Sequence, residues 1–287
     1  MTTIVDIQRI RIRLPALTLR VLLYIVVLVG AVVFAIPFVW MVRTAIMPPW
    51  QIYLFPPQWI PERIELHNFA EPFKAWPFGR WYMNSALLVV LNATGTVLSG
   101  SLAGFTLARL RFPGRDFFFL VILATMMLPG QVRLIPTYLL FTRLHWVNTF
   151  MPLFVPAWFG PAFDIFLLRQ FFMTIHRELD DAARIDGCGY FGLYWRIALP
   201  LSLPALGVVA IFNFTFNWND FMGPLIYLGD VRKYTVALGL RLLQGQLYTD
   251  LQAVMSAAVL SLLPVLIVFF LAQRHFVQGI VITGVKG

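Results

Sequence analysis

The chain has little charge and almost no cysteine. Charged residues make up 12% of its 287 residues, against about 25% in soluble domains. Hydrophobic residues make up 60%. This composition excludes a soluble globular domain and indicates a protein that crosses the membrane several times. The one cysteine, Cys188, excludes an internal disulfide.

Motifs for catalysis and metal binding are also lacking. A site that hydrolyses ATP needs a glycine-rich loop in which Lys is followed by Ser or Thr. The segment GIVITGVK at 279–286 has a similar spacing, but its lysine follows Val285 and no hydroxyl residue comes next. There is no HExxH pattern, cluster of His and Cys, or nucleophile elbow. We therefore predict no catalytic residue, no metal site and no cofactor in this chain.

The net charge of +9 comes from basic residues that are scattered among apolar runs. A nucleic-acid-binding protein would gather them into a continuous patch, so we expect no nucleic-acid partner. Several arginines precede the first apolar run, and no small-residue cleavage site follows it. This pattern predicts an uncleaved first span rather than a signal peptide.

The apolar runs predict an all-α membrane protein with six spans. The first run has 22 residues, which as a helix are about 33 Å long, enough to cross a bilayer. Pro129 and Gly130 interrupt the third run, so we expect a broken or re-entrant helix there. The predicted spans lie near 21–42, 85–107, 117–128, 150–168, 206–228 and 254–272.

The distribution of Lys and Arg predicts that both termini face the cytoplasm. With six spans and the N-terminus inside, thirteen of the 22 basic residues lie on the inner side, which leaves nine outside. This bias agrees with the positive-inside rule. The tight turn RLRFPGR at 109–115 is the strongest local indication of a cytoplasmic loop.

Asp164 lies inside the fourth apolar run. A carboxylate that faced lipid at the centre of a span would cost about 2.5 to 3.5 kcal/mol, so this side chain should face protein or water. Pro156 and Pro161 favour a structural interpretation, in which the helix ends nearby and Asp164 is capped or hydrated. Contact with a transported molecule is the alternative.

The fifth run contains FNFTFNWNDF at 212–221, which mixes amides with aromatic rings. Asn213, Asn217 and Asp220 follow one another at steps of four and three residues, so they would share one helical face. A sugar offers the matching combination of hydroxyl edges and apolar ring faces. Hydrogen bonds between packed helices would explain the same pattern.

The most informative segment is DAARIDGCGYFGLYWRIALP at 181–200. By itself it predicts a polar helix, a glycine cap and a second helix that begins at a proline. Its spacing resembles the cytoplasmic EAA signature of permease subunits in binding-protein-dependent ABC importers: EAA, three residues, G, nine residues, I, one residue, LP. Six of the seven defined positions match, and Asp replaces the first Glu. The corresponding residues are Asp181, Ala182, Ala183, Gly187, Ile197, Leu199 and Pro200. The resemblance implies that they couple the chain to an ATPase.

Two further segments resemble the sugar-importer branch of these permeases, which includes the maltose importer. One is the pair Asn84 and Ser85, and the other is the C-terminal segment QRHFVQGIVITGVKG at 273–287. In that branch the tail reaches into the ATPase dimer interface. The resemblance therefore implies ATPase contacts for Gly284, Val285, Lys286 and Gly287.

The resemblance implies the type I ABC importer permease fold in a prokaryotic inner membrane. It divides the chain into a cytoplasmic N-terminus (1–20), a six-span permease domain (21–272) with a cytoplasmic coupling loop (173–203), and a cytoplasmic tail (273–287). The implied partners are a second homologous permease, two ABC ATPase subunits that bind ATP and magnesium, an extracytoplasmic substrate-binding protein and the lipid bilayer. The substrate is open among an oligosaccharide, a monosaccharide and glycerol 3-phosphate.

Two other functions are compatible with the composition. An ion-coupled secondary transporter would need titratable residues inside the membrane, and the sequence offers little beyond Asp164 and Asp220. A membrane scaffold without transport activity is the second alternative.

Overall fold

The computed structural model describes the backbone of residues 16–244 and 250–284, and the side chains of residues 18–244 and 250–273. Most of this described part is helical. This part has no β-strand. The α-helices, in chain order, are α1 (Ala16–Ile46), α2 (Pro49–Ile52), α3 (Glu71–Ala75), α4 (Phe78–Arg109), α5 (Arg115–Met126), α6 (Gly130–Arg143), α7 (Met151–Phe154), α8 (Ala162–Thr174), α9 (Glu178–Ile185), α10 (Tyr190–Leu193), α11 (Leu199–Leu201), α12 (Leu203–Trp218), α13 (Met222–Tyr227), α14 (Val236–Gln244) and α15 (Leu251–Gly284). Short 3₁₀ turns occur at Leu66–Phe69, Val155–Phe159 and Val231–Lys233, and a π-helical turn occurs at Tyr194–Ala198.

Four segments of the described chain are long and apolar enough to cross a membrane alone, and two bent helix pairs bring the number to six if each pair is one span. The single segments are Thr18–Ile46, Phe78–Arg109, Met151–Thr174 and Leu251–Gln273. The bent pairs are α5 with α6, at 99°, and Tyr190–Leu201 with α12, at 74°. Each of the six predicted apolar runs therefore corresponds to one of these segments or pairs.

Prolines and glycines shift several of the predicted boundaries. α5 ends at Met126 and α6 begins at Gly130, so the predicted break at Pro129 is confirmed. The fourth run is also broken, because Gly160 has a φ of +74° and α8 begins only after Pro161. The second span begins at Phe78, before the predicted residue 85.

The fifth predicted span, 206–228, is not one helix. α12 ends at Trp218 and a separate helix, α13, begins at Met222. Pro224 lies in the first turn of α13, where its missing N–H is tolerated, whereas in a continuous helix it would break the hydrogen-bond ladder. The proline therefore separates the two segments.

α4 lies at the centre of the fold and packs mainly against α8 and α12, while α1 packs against α15. Glycines allow the close approach of α4 and its neighbours. A Cβ atom added to Gly104 would lie 3.0 Å from the backbone nitrogen of Arg169 on α8, and one added to Gly95 would lie 2.5 Å from the ring of Trp158. These positions therefore act in helix packing.

Two clusters of buried residues lie at opposite ends of α4. Trp81 and Phe105 are separated by 24 residues of this helix, or about 36 Å. The Phe105 cluster comprises Phe105, Ala108, Leu168, Phe172, Ala183, Leu193, Tyr194, Ala198, Ala205, Leu206 and Val209. The Trp81 cluster comprises Phe78, Trp81, Val89, Trp218, Val236, Leu243, Val254 and Ala257.

Candidate docking element and polar core

The signature residues form short helical segments that fold against the Arg109 end of α4. In α9, Asp181 and Ala182 are exposed, whereas Ala183 is buried in the Phe105 cluster. Ile197 and Leu199 pack against the same cluster, and Pro200 is exposed in α11. The signature therefore contains residues that attach the element to the bundle and residues that face outward. We call residues 178–201 the docking element.

Gly187 closes α9 with a Schellman motif. The N–H of Cys188 donates to the carbonyl oxygen of Ala183 at 2.8 Å, and the N–H of Gly187 donates to that of Arg184 at 3.0 Å. This arrangement requires a left-handed residue, and Gly187 has a φ of +78°. An added Cβ would have no atom within 4 Å. The glycine is therefore required by backbone conformation and not by lack of space.

The docking element exposes apolar side chains beside charged ones such as Asp181 and Arg184. Ile185 and Phe191 are 87% and 73% exposed, and Leu179 and Tyr190 are also exposed. The guanidinium of Arg184 lies 5.0 Å from the centre of the Tyr190 ring. We call Leu179, Ile185, Tyr190 and Phe191 the docking surface. Exposed apolar residues grouped at the end of a helical bundle are typical of a protein interaction site.

Arg109 attaches the docking element to α4, a role that the sequence did not indicate. Its Nη1 donates to Oδ2 of Asp180 at 3.1 Å, and its Nη2 donates to the carbonyl oxygen of Ile175 at 2.7 Å. A second attachment joins Ser101 of α4 to Tyr194, whose hydroxyl oxygens are 2.8 Å apart and buried. The sequence signal was the arginine alone, since its partners lie far away along the chain.

Asp164 is buried in the first turn of α8, close to Gly100 of α4. The helix begins just before it, at Ala162, so the carboxylate lies where the amide groups of a helix N-terminus favour negative charge. The side-chain amide of Asn213 lies beside Asp164. The helix break expected from the neighbouring prolines is thus present, and Asp164 faces protein.

Asn213 links α12 to the centre of the bundle. Its Oδ1 accepts hydrogen bonds from Thr96 Oγ1 at 3.3 Å and from Asn217 Nδ2 at 3.1 Å. Thr96 is fully buried on α4. We call Thr96, Asp164, Asn213 and Asn217 the polar core. These side chains lie on three helices, as expected for packing, while Asn213 and Asn217 keep part of their surface accessible.

Asp220 does not belong to this group. Because α12 ends at Trp218, the predicted helical face does not extend to Asp220. Its Oδ1 instead accepts the N–H of Gly223 at 3.1 Å, at the start of α13. The prediction that Asn213, Asn217 and Asp220 share one helical face was therefore wrong for Asp220.

Asn84 and Ser85 hold the loop before α14. Nδ2 of Asn84 donates to the carbonyl oxygens of Arg232 and Tyr234, both at 3.0 Å. The hydroxyl of Ser85 accepts the N–H of Val236 at 2.9 Å. This pair therefore has a structural role at the Trp81 end of α4.

The predicted ATPase-contacting tail lies mostly outside the described residues. The backbone of α15 continues to Gly284, whereas Val285, Lys286 and Gly287 are not described. Among the described residues, no group of three His, Cys, Asp or Glu side chains could hold a metal ion.

The chain matches the family model described as "Binding-protein-dependent transport system inner membrane component" over residues 97–282. It is 34% identical to the arabinooligosaccharides transport system permease protein AraQ of Halalkalibacterium halodurans, over 79% of this chain and 81% of AraQ. It is 35% identical to the sn-glycerol-3-phosphate transport system permease protein UgpE of Yersinia pestis, over 71% of this chain and 73% of UgpE.

Solved structures show the same fold. A bacterial ABC transporter involved in the import of the acidic polysaccharide alginate superposes with a TM-score of 0.82 at 20% identity, covering 90% of this chain and 96% of that chain. The alginate transporter in complex with its alginate pentasaccharide-bound periplasmic protein gives a TM-score of 0.64 at 16% identity, over 89% and 94% of the two chains. The expected all-α permease fold is confirmed. The chain therefore belongs to the family of inner membrane components of binding-protein-dependent transport systems, the permease subunits of ABC importers.

Proposed function

We propose that this permease forms a transmembrane pathway with a second, homologous permease, and that two separate ABC ATPase subunits drive transport from the cytoplasmic side. An extracytoplasmic binding protein delivers the substrate. ATP and magnesium bind in the ATPase subunits. The transporter works by a population shift, in which ATP binding favours one of two orientations of the pathway.

The docking element carries this proposal. It combines a helix with a fixed end at Gly187, an outward surface with Ile185 at its tip, and a buried side on the Phe105 cluster. Such an element can bind a partner on one side and transmit its movement to the bundle on the other. The resemblance of its spacing to the EAA signature supports an ATPase as that partner.

We propose a sugar, a related polyol or a glycerol phosphate as the substrate. Relatives named for arabinooligosaccharides and glycerol 3-phosphate support this class. In this chain, Asn213 and Asn217 offer hydrogen-bonding groups on the partly accessible side of α12, near the exposed ring of Phe216. We propose that this side of α12 borders the pathway, with Asp164 and Asp220 as the further candidates.

Reconstitution of the complex in lipid vesicles tests the function. The permease is purified with its companion permease, ATPase and binding protein, and uptake of labelled ligands of that binding protein is measured with and without ATP. We expect uptake only with ATP and with all four components. Uptake driven by an ion gradient without ATP would identify a secondary transporter, and ATP-independent assembly without uptake would identify a scaffold.

We propose that the docking element and both termini face the cytoplasm of a prokaryotic inner membrane, while residues 43–80 face outward. Phe55 is 94% exposed and Ile185 is 87% exposed, so single cysteines at these positions are accessible to reagents. In a Cys188→Ser background, an impermeant thiol reagent added outside intact inner membranes should label Phe55→Cys and not Ile185→Cys. Labelling of Ile185→Cys and not of Phe55→Cys would show the opposite orientation.

A further inference from the structure

We propose that Arg109 is a positioning residue that connects the docking element to α4, so that movement of the docking surface reaches the polar core. This inference rests on the proposed ATP-driven function. It goes beyond that function by naming the side chain through which the movement is transmitted and the helix that receives it.

The guanidinium of Arg109 makes one contact with the docking element and one with the residue range just before it. Nη1 binds the carboxylate of Asp180 in the first turn of α9, and Nη2 binds the carbonyl oxygen of Ile175 just after α8. The side chains of Arg109 and Asp180 are only 4% and 15% exposed, so salt and water screen their attraction weakly. Because the guanidinium is planar and its donors are fixed in direction, this contact fixes both distance and orientation.

The attachment continues along one face of α4. Ser101, Phe105 and Arg109 follow one another at steps of four residues, so they lie on the same side of the helix. Ser101 binds the hydroxyl of Tyr194, and the ring of Phe105 lies 5.3 Å from that of Tyr194. The docking element therefore contacts α4 over two helical turns, which favours movement of the two as one body.

The same helix reaches the polar core one turn further along. Thr96 of α4 donates to Asn213 of α12, and Asn213 lies beside Asp164 of α8. A rotation or shift of α4 would therefore alter the hydrogen bonds that set the position of α12. This path consists of discrete contacts that can be removed one at a time.

Stability alone is a poor explanation for the ion pair. A buried salt bridge is often replaced by apolar residues without loss of stability, and its better-attested use is to specify one arrangement. The neighbouring Arg111 is exposed and supplies positive charge to the same turn, which makes it a matched control.

The test compares Arg109→Met, Arg109→Lys and the control Arg111→Met in the reconstituted complex. ATPase copurification, thermal stability, ATP hydrolysis and uptake are measured on each. Arg109→Met should bind the ATPase and hydrolyse ATP, while substrate transported per ATP falls about tenfold, as expected for the loss of one coupling contact. Arg109→Lys keeps the charge but cannot hold both acceptors in the same geometry, so it should show an intermediate ratio. Arg111→Met should match the wild type.

Hydrogen exchange of peptide 178–188 in the same complexes provides a readout that is independent of transport. Arg109→Met should speed exchange of the α9 amides by about tenfold, because a lost tether lowers the free energy of local opening. Arg111→Met should leave the exchange rate unchanged. If the wild-type complex shows no ATP-driven uptake, the proposed function fails. Hydrogen exchange of α9 then still tests whether Arg109 holds the docking element.

Unchanged exchange in Arg109→Met overturns the inference. A wild-type amount of substrate transported per ATP in Arg109→Met also overturns it. Loss of ATPase binding in both Arg109→Met and Arg109→Lys would also contradict it, because Arg109 would then only shape the docking surface. The inference is supported by faster exchange together with a lower transport ratio at retained ATPase binding.

Discussion

The two ends of α4 hold their neighbouring segments in different ways. At the Trp81 end, the Nε1 of Trp81 donates to the carbonyl oxygen of Val231 at 2.7 Å, and Asn84 and Ser85 bind the backbone of the following residues. At the Arg109 end, Arg109 binds the side chain of Asp180 as well as the carbonyl oxygen of Ile175, and Ser101 binds the side chain of Tyr194. One end therefore fixes a loop, and the other attaches a helix with an exposed outer face.

The two kinds of attachment differ in how much movement they allow. Bonds from side chains to a loop backbone hold one conformation, since the backbone groups have no alternative partner inside the protein. A short helix that is tied by a few side chains can shift as a rigid unit. We therefore assign stability mainly to the Trp81 end and coupling mainly to the Arg109 end, and the following predictions test this division.

The largest effect is expected at Gly187. Valine at this position would have to adopt a φ of +78°, which costs a non-glycine residue about 1–2 kcal/mol and more when it is β-branched. Gly187→Val should misorient the docking surface and lower uptake about 100-fold. Thermal stability of the spans should change little. Uptake and thermal stability are measured on the purified, reconstituted complex.

Gly187→Asn is the matched control, because asparagine adopts the left-handed conformation more readily and a Cβ at this position has no atom within 4 Å. It should retain much of the uptake. Equal loss in both variants would contradict the conformational argument and would indicate a steric clash with the partner.

The second prediction concerns Gly239 at the Trp81 end. An alanine Cβ at this position would lie 2.1 Å from the ring of Trp81, which is fully buried. Gly239→Ala should therefore destabilise the fold by about 1–3 kcal/mol through overpacking. Transport per ATP should stay normal in the complexes that remain folded. A normal melting temperature with a reduced transport ratio would reverse the assignment of the two ends.

The smallest effect is expected in the polar core. Asn217→Ala removes one donor to Asn213, and the partly accessible position allows water to replace it. If Asn217 borders the pathway, uptake should fall several-fold while the melting temperature stays within a few degrees of the wild type. Lower stability with normal uptake per folded complex would show that Asn217 acts in packing.

Thr96→Val is the companion variant, because Thr96 is fully buried. It removes the donor to Asn213 at nearly constant volume. This change should lower stability more than Asn217→Ala does. A greater effect of Asn217→Ala on stability would contradict the assignment of Thr96 to packing and of Asn217 to the pathway.

Local patterns predicted much of this molecule. The spacing from Asp181 to Gly187 predicted a helix ended by a glycine, and α9 ends with Gly187 in the left-handed conformation. All residues that determine such a motif lie close together in the chain, so the motif can be predicted from the sequence. The same holds for the break at Pro129, where proline ends one helix and precedes the next.

Long-range contacts were not predictable in this way. Arg109 and Asp180 are 71 residues apart, and each by itself is typical of a charged cytoplasmic loop. At the end of α12, the pattern of Asn213, Asn217 and Asp220 suggested one helical face, whereas Pro224 was the sequence signal that a new helix begins. A helical repeat that ends a few residues before a proline is therefore weak evidence for a shared face.

Cross-linking from Ile185 to the ATPase tests the central claim most directly. Cysteine is placed at position 185, or at Phe55 as the control, in a Cys188→Ser background, and the assembled transporter is treated with a short bifunctional thiol reagent during ATP turnover. The account predicts that Ile185→Cys cross-links to the ATPase subunit, that the cross-link blocks uptake, and that Phe55→Cys gives no such product. An active complex in which Ile185→Cys never cross-links to the ATPase, while Phe55→Cys does, would contradict it.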